Sequence, residues 1–433
     1  MIEKRFAATF QIVILGMVLI ASLPTVATCQ STSSPQIDDL SPPVAAPDDW
    51  PWWRGPSSNN LCQSGQTPPL QWSDTQNVLW QVDLPGQGHA TPCLHANRIF
   101  IPAGDKKQQT IRMVCLDRDT GKRLWQKDVY RGPMAKIHKD TTYASAMVAC
   151  DGERIFFPYQ TDTEVRMVGM SLDGAVVWDQ ALSPYTSIQG FSASPILYQS
   201  AVIVPTDGKI HNKLTALHRK TGQVIWQTEV PAEHESYASA SLVHVAGRYQ
   251  IILVGPDHIR SYHPDTGENL WTCNGPAMCY VAVAVADDTT VYATGGYPKK
   301  AMLAIRADGT GNVTDTHLSW TSDNKAGYVP TPLLHAGLIY MVNDKGLYRC
   351  YEAKTGKILS EEKLEGGFYS SPVLVGDKIY LFNKTGKGYV IRSGVGLELL
   401  AENTLPQGAF ATPVICNSRI YLRTLKTLYC LGK

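Results

Sequence analysis

The densest group of reactive side chains in the sequence is LDRDTGKRLW, residues 116–125. Acids, bases and a hydroxyl fall within ten positions, the mix that proton transfer uses when such groups reach one substrate. Three other places hold comparable chemistry. GFSAS, residues 190–194, approaches the nucleophile elbow G-x-S-x-G. It lacks the second glycine, and it opens a strand instead of closing one before a helix. His138, Lys139 and Asp140 form a polar loop, which also reads as a solvated link between elements. Asp48–Asp49 and Asp287–Asp288 are acidic pairs without calcium-ligand spacing and read as linker and turn residues. No H-E-x-x-H and no phosphate-binding loop occur.

The 116–125 stretch has relatives. LHRKTGQVIW ends at Trp226, YHPDTGENLW at Trp271 and the shorter SLDGAVVW at Trp178. IRADGTGNVTDTHLSW reaches Trp320 through an enlarged loop, and YEAKTGKILS puts Ser360 where the tryptophan would be. A second motif recurs out of phase: HATPCL, YASAMV, FSASPIL, YASASLV, YVAVAV, YVPTPLL, FYSSPVLV and FATPVI, at intervals of 40 to 54 residues. Between them lie short apolar runs such as NRIFIPA and DKIYLFN. Each unit therefore holds four short strands separated by Gly, Asn and Asp turns.

Four strands per 40–50-residue repeat predict an all-β fold, an eight-bladed β-propeller of four-stranded antiparallel blades. The last copy has only three strands before Lys433. NVLWQVDL, residues 77–84, is an unmatched strand with an outer tryptophan, Trp80. It is expected to complete the last blade and close the ring, because an open edge is a pairing hazard. The glycine of each turn supplies positive φ. The tryptophans Trp80, Trp125, Trp178, Trp226, Trp271 and Trp320 are expected to fill the gaps between blades, each indole N–H taking a backbone acceptor. On this reading Asp117, Arg118 and Asp119 are turn and surface residues.

With 39 basic and 38 acidic side chains, the charge balance favours no nucleic-acid partner. Lys4 and Arg5 precede the apolar run of residues 12–23, then small residues and Cys29. That order is a secretion signal, too short to span a bilayer comfortably. VATC, residues 26–29, resembles a bacterial lipoprotein signal that would acylate Cys29, although Thr28 departs from the usual small residue. The chain divides into a signal, residues 1–29, a Ser/Pro/Asp-rich flexible linker, residues 30–49, and the propeller, residues 50–433. Any membrane contact runs through the lipid anchor. Nine further cysteines contain no C-x-x-C pair and read as small buried apolar residues. Cys273 and Cys279 have the one spacing suited to a local disulfide.

The turn pattern A-x-D-x-x-T-G-x-x-x-W, best copied in LTALHRKTGQVIW, resembles the tryptophan-docking repeat of PQQ-type quinoprotein propellers. The WPWWRGP of residues 50–56 is similar to the start of exported members. The resemblance covers residues 50–433 and implies two classes of function. One is a PQQ-dependent oxidoreductase with calcium in the channel. The Cys-Cys pair and acidic calcium loop of such enzymes are not found here. The other is a BamB-like, non-catalytic propeller lipoprotein, a scaffold binding a protein or ligand on one face, which implies an envelope protein or peptide partner and no cofactor. The second is the expectation, with localisation in the periplasm or cell envelope. Its binding surface is expected in the aromatic or His residue before each inner strand: His89, Tyr143, Phe191, Tyr237, Tyr280, Tyr328, Tyr369 and Phe410. These would ring one mouth of the channel, unless they only cap the blade packing.

Overall fold

The computed structural model describes Met1 and residues 36–38, 40–41, 43–322 and 325–433. The apolar run of residues 12–23 and Cys29 lie outside the described residues. Eight sheets, antiparallel but for one added strand, carry the chain from residue 78 onward. Blades are numbered here in chain order. Blade 1 runs through Cys93–His95, Arg98–Asp105, Thr110–Asp117 and Arg123–Arg131, from inner to outer strand. The middle strands are buried along almost their whole length, since each faces a neighbouring blade on both sides. That is why they read as continuous apolar runs, whereas the outer strands alternate or lie open.

The ring closes as the sequence predicts. Val78–Asp83 pairs antiparallel with Thr427–Leu431 and puts Trp80 opposite Cys430. Thr427 Oγ1 also donates to Asp83 Oδ1 at 2.9 Å.

Five of the six blade tryptophans dock as expected. The indoles of Trp80, Trp125, Trp178, Trp226 and Trp320 donate to the carbonyls of Arg118, Leu172, Arg219, Pro264 and Ala353 in the next blade, at 3.0–3.3 Å. The turn glycine has a second role beyond its positive φ. A Cβ on Gly121, Gly174, Gly222, Gly267 or Gly356 would lie 2.5–3.0 Å from the ring docked there. Tryptophan and glycine of adjacent repeats therefore form one contact.

Trp271 departs from this pattern. The enlarged loop of the next blade adds a parallel strand, Gly311–Asn312, beside Trp271 and Thr272, so blade 4 has five strands. The loop also carries the helix Thr314–His317. The indole of Trp271 now donates to Gln250 Oε1 at 2.9 Å, and Gln250 Nε2 donates to the Ala307 carbonyl at 3.0 Å. A fully buried glutamine thus relays the bond that the other tryptophans make directly. In blade 6 the serine at the tryptophan position, Ser360, accepts the Gly396 N–H instead.

Three other expectations are corrected. Arg118 is buried, not a surface residue. Its guanidinium donates to Tyr421 Oη and Cys416 Sγ in blade 8 and to the Ala96 carbonyl. Asp49 is buried as well: its carboxylate takes the Ala96 N–H and lies 2.8 Å from His95 Nδ1, pinning the incoming chain to blade 1. Cys273 and Cys279 are free thiols, the second 3.5 Å from Tyr328 Oη.

Candidate functional site

The aromatic position lies a few residues before each inner strand, which ends at a tight turn, so the channel has an aromatic mouth and a turn mouth. Its wall is built from Ser and Thr of the second motif. Met147 N–H donates to Ser194 Oγ, Ser194 N–H to Ser239 Oγ, Thr331 N–H to Ser371 Oγ and Ser371 N–H to Thr412 Oγ1. Thr91 Oγ1 in turn donates to the Thr412 carbonyl. These hydroxyls tie blade to blade. The sequence carries this signal as a Ser or Thr before the Pro or Ala of most copies, a residue type that spacing alone does not weigh.

A cavity of about 110 Å³ remains in the channel. Of the eight residues expected around the aromatic mouth, His89, Tyr237, Tyr369 and Phe410 line it. His89 stacks on Phe410 with centroids 4.5 Å apart, and Phe410 meets Tyr369 edge-on at 4.9 Å. Lys384 Nζ sits 4.1 Å over the Tyr369 ring. The other four have separate partners. Tyr143 donates its hydroxyl to the Ala135 carbonyl and so holds the 132–141 loop. Phe191 is buried edge-on against Tyr185. Tyr280 is fully buried within its blade, and Tyr328 lies against Lys300 and Cys279. Of the expected ring of eight, three neighbours from blades 7, 8 and 1 and, across the channel, Tyr237 of blade 4 line the cavity.

Burial and the nearby Arg423 charge pull the His89 imidazole down to about 4. The unfolded chain binds this proton more readily, so stability falls as pH drops from the ordinary value of 6.5 toward 4. The ring is neutral at pH 6, which lets it stack as an aromatic. An NMR titration should show no His89 protonation above pH 5; a midpoint near 6.5 would contradict the packed stack.

Among the described residues no Asp or Glu lines the channel cavity. Among the described residues, no three His, Cys, Asp or Glu side chains gather closely enough to hold a metal. Burial pushes the Asp207 carboxyl up to about 7 against the opposing pull of Arg260, but Asp207 is not among the residues lining this cavity.

At the turn mouth lies the WPWWRGP segment, for which the sequence offered a family resemblance but no position. Trp50 exchanges both backbone bonds with Leu94 of blade 1, and Cys150 N–H donates to the Pro51 carbonyl. Leu374 N–H donates to the Asn60 carbonyl, and Cys62 N–H to the Leu374 carbonyl in blade 7. Cys62 Sγ reaches the Ile415 carbonyl in blade 8. Trp53 lines the channel cavity from this side. Residues 50–62 thus close the mouth over blades 1, 2, 7 and 8. Over blades 3 to 6 they leave a cleft of about 490 Å³.

The family described as outer membrane protein assembly factor BamB matches residues 73–254 and 255–396, most of the ring. The chain belongs to this family. The BamB of Yersinia pestis is 20% identical over 349 residues, covering 70% of this chain and 84% of that protein. The structure of BamB from Moraxella catarrhalis superposes with a TM-score of 0.60 at 15% identity, covering 82% of this chain and 99% of that one. A europium-containing methanol dehydrogenase superposes with a TM-score of 0.66 at 10% identity, covering 90% and 98%. At such identities the structural likeness to the BamB and dehydrogenase chains is one of fold.

Proposed function

We propose that this BamB-family chain is an exported, non-catalytic scaffold of the cell envelope that binds a protein or peptide partner. The observation that carries the reading is the channel lining. Its hydroxyls are largely committed to inter-blade bonds, and its remaining groups are aromatic or apolar. Such a surface offers stacking and apolar contact; among the described residues no carboxylate lines it, and its one imidazole, His89, is stacked on Phe410. The names of the BamB relatives, assembly factors of the outer membrane, support a protein partner, and the sequence of residues 4–29 supports export.

A quinone held by calcium is the competing reading. Calcium takes oxygen ligands, carboxylates prominent among them, and this donor set does not fit it. The experiment has two arms. Titration with PQQ and calcium should leave the absorbance spectrum the sum of its parts; stoichiometric quinone binding with dye reduction would overturn the scaffold reading. Replacing Tyr237, Tyr369 and Phe410 together with alanine should weaken capture of the envelope partner by about tenfold or more, the loss of ~1.4 kcal/mol or more. Unchanged capture would remove the aromatic mouth from the binding surface.

A further inference from the structure

We infer that the cleft at the turn mouth is a second, separate site, which takes an extended, acidic peptide segment as an added β-strand. The inference rests on the protein-binding reading and gives it a place and a chemistry.

Its basis is the way the chain already covers part of this face. Inner strands here end in two-residue turns, flanked by the pairs His95 with Arg98 and Val375 with Lys378. The residue flanking such a turn exchanges ladder bonds with its partner, so the residue before it points its N–H and C=O away from the sheet. In blades 1 and 7 those residues are Leu94 and Leu374, and both are bonded to residues 50–62. The equivalents in blades 3, 4 and 6 are Leu197, His244 and Leu334, set by the pairs Tyr198 with Ala201, Val245 with Arg248 and His335 with Leu338. All three line the cleft. Their backbone groups have no hydrogen-bond partner outside their own hairpins among the described residues. An extended chain laid here would continue what residues 50–62 do next door.

The cleft also sets side-chain and charge preferences. Tyr249 is 52% exposed; it meets Tyr198 at 6.1 Å and His244 edge-on at 5.1 Å, an open aromatic wall. Leu242 and Trp52 add apolar surface. Among the described residues no Asp or Glu lines it. Arg54 does, 2% exposed: its Nε and Nη2 donate to the Ser58 and Asn59 carbonyls, Nη1 lacks any partner, and no carboxylate among the described residues lines the cleft beside it. An uncompensated cation behind an apolar wall favours a segment that brings a carboxylate.

The test is a titration of the full chain with a short synthetic peptide that alternates Thr with Phe and Leu around a central Glu. Tryptophan fluorescence, from Trp52 and Trp53 at the cleft, is the readout. Saturable binding is expected. Methylating the peptide amides on one edge, exchanging Glu for Lys, or Tyr249→Ala in the protein should each weaken it by about tenfold, roughly one net hydrogen bond or contact. Leu197→Pro removes a donor that no ladder bond uses and should do the same. If that variant does not fold, the methylated peptide and the exposed Tyr249→Ala still decide. Equal affinity for methylated and plain peptide would overturn the strand-addition assignment. So would absence of peptide binding while the envelope partner is still captured, which leaves the scaffold reading standing.

Discussion

Trp178→Ala should lower the stability of the ring by ~3–5 kcal/mol, the usual cost of emptying a buried aromatic site. Gly222→Ala should cost ~2 kcal/mol or more by itself. The residue sits at φ 73°, and the new Cβ would lie 2.6 Å from Trp178 Cδ2. The double variant is the informative one. Once the indole is gone, the clash has no partner and only the backbone strain remains. The two losses should therefore fall short of additive by ~1–3 kcal/mol, measured as a double-mutant cycle in urea unfolding. Strict additivity would mean that the turn glycine serves its backbone alone, which is all that the sequence assigned to it.

The second large effect is expected at the closing strand. Replacing residues 78–83 by a Gly/Ser run of equal length keeps the covering segment and the chain length but removes Trp80 and the pairing with Thr427–Leu431. The exposed strand then presents an unpaired ladder to solvent. A loss of ~4 kcal/mol or more is expected, with self-association visible on size exclusion. A monomeric variant with an unchanged unfolding midpoint would show that blade 8 stands on three strands.

How much of this could be read beforehand varies with the physics involved. The ring, its eight blades and its closure were legible because strand alternation and turn chemistry are local and repeat eight times. Trp271 escaped because its acceptor was moved by an insertion some forty residues later; nothing in YHPDTGENLW differs from its relatives. Arg118 and Asp49 looked like surface residues because their burial comes from blade 8 and blade 1, reached only through the tertiary fold. The aromatic positions were found, but a shared position in a repeat does not fix a side-chain direction. Tyr280 turned into its blade where Tyr237 turned to the channel. The cleft was invisible because it is defined by what residues 50–62 leave uncovered.

The path of the chain before the ring has a mechanical consequence. Asp38 meets Ser200 and His218, Asp49 meets His95, residues 50–62 cross the turn mouth, Trp72 N–H bonds Asn403, and only then does Val78–Asp83 enter its sheet. Tension applied from the N-terminal side would load these attachments one after another. The outer ones would peel singly, and the strand that locks the ring would feel the pull last. The chain entering the propeller is a sequence of fuses, each of which can break and reform while the closed ring behind it stays intact.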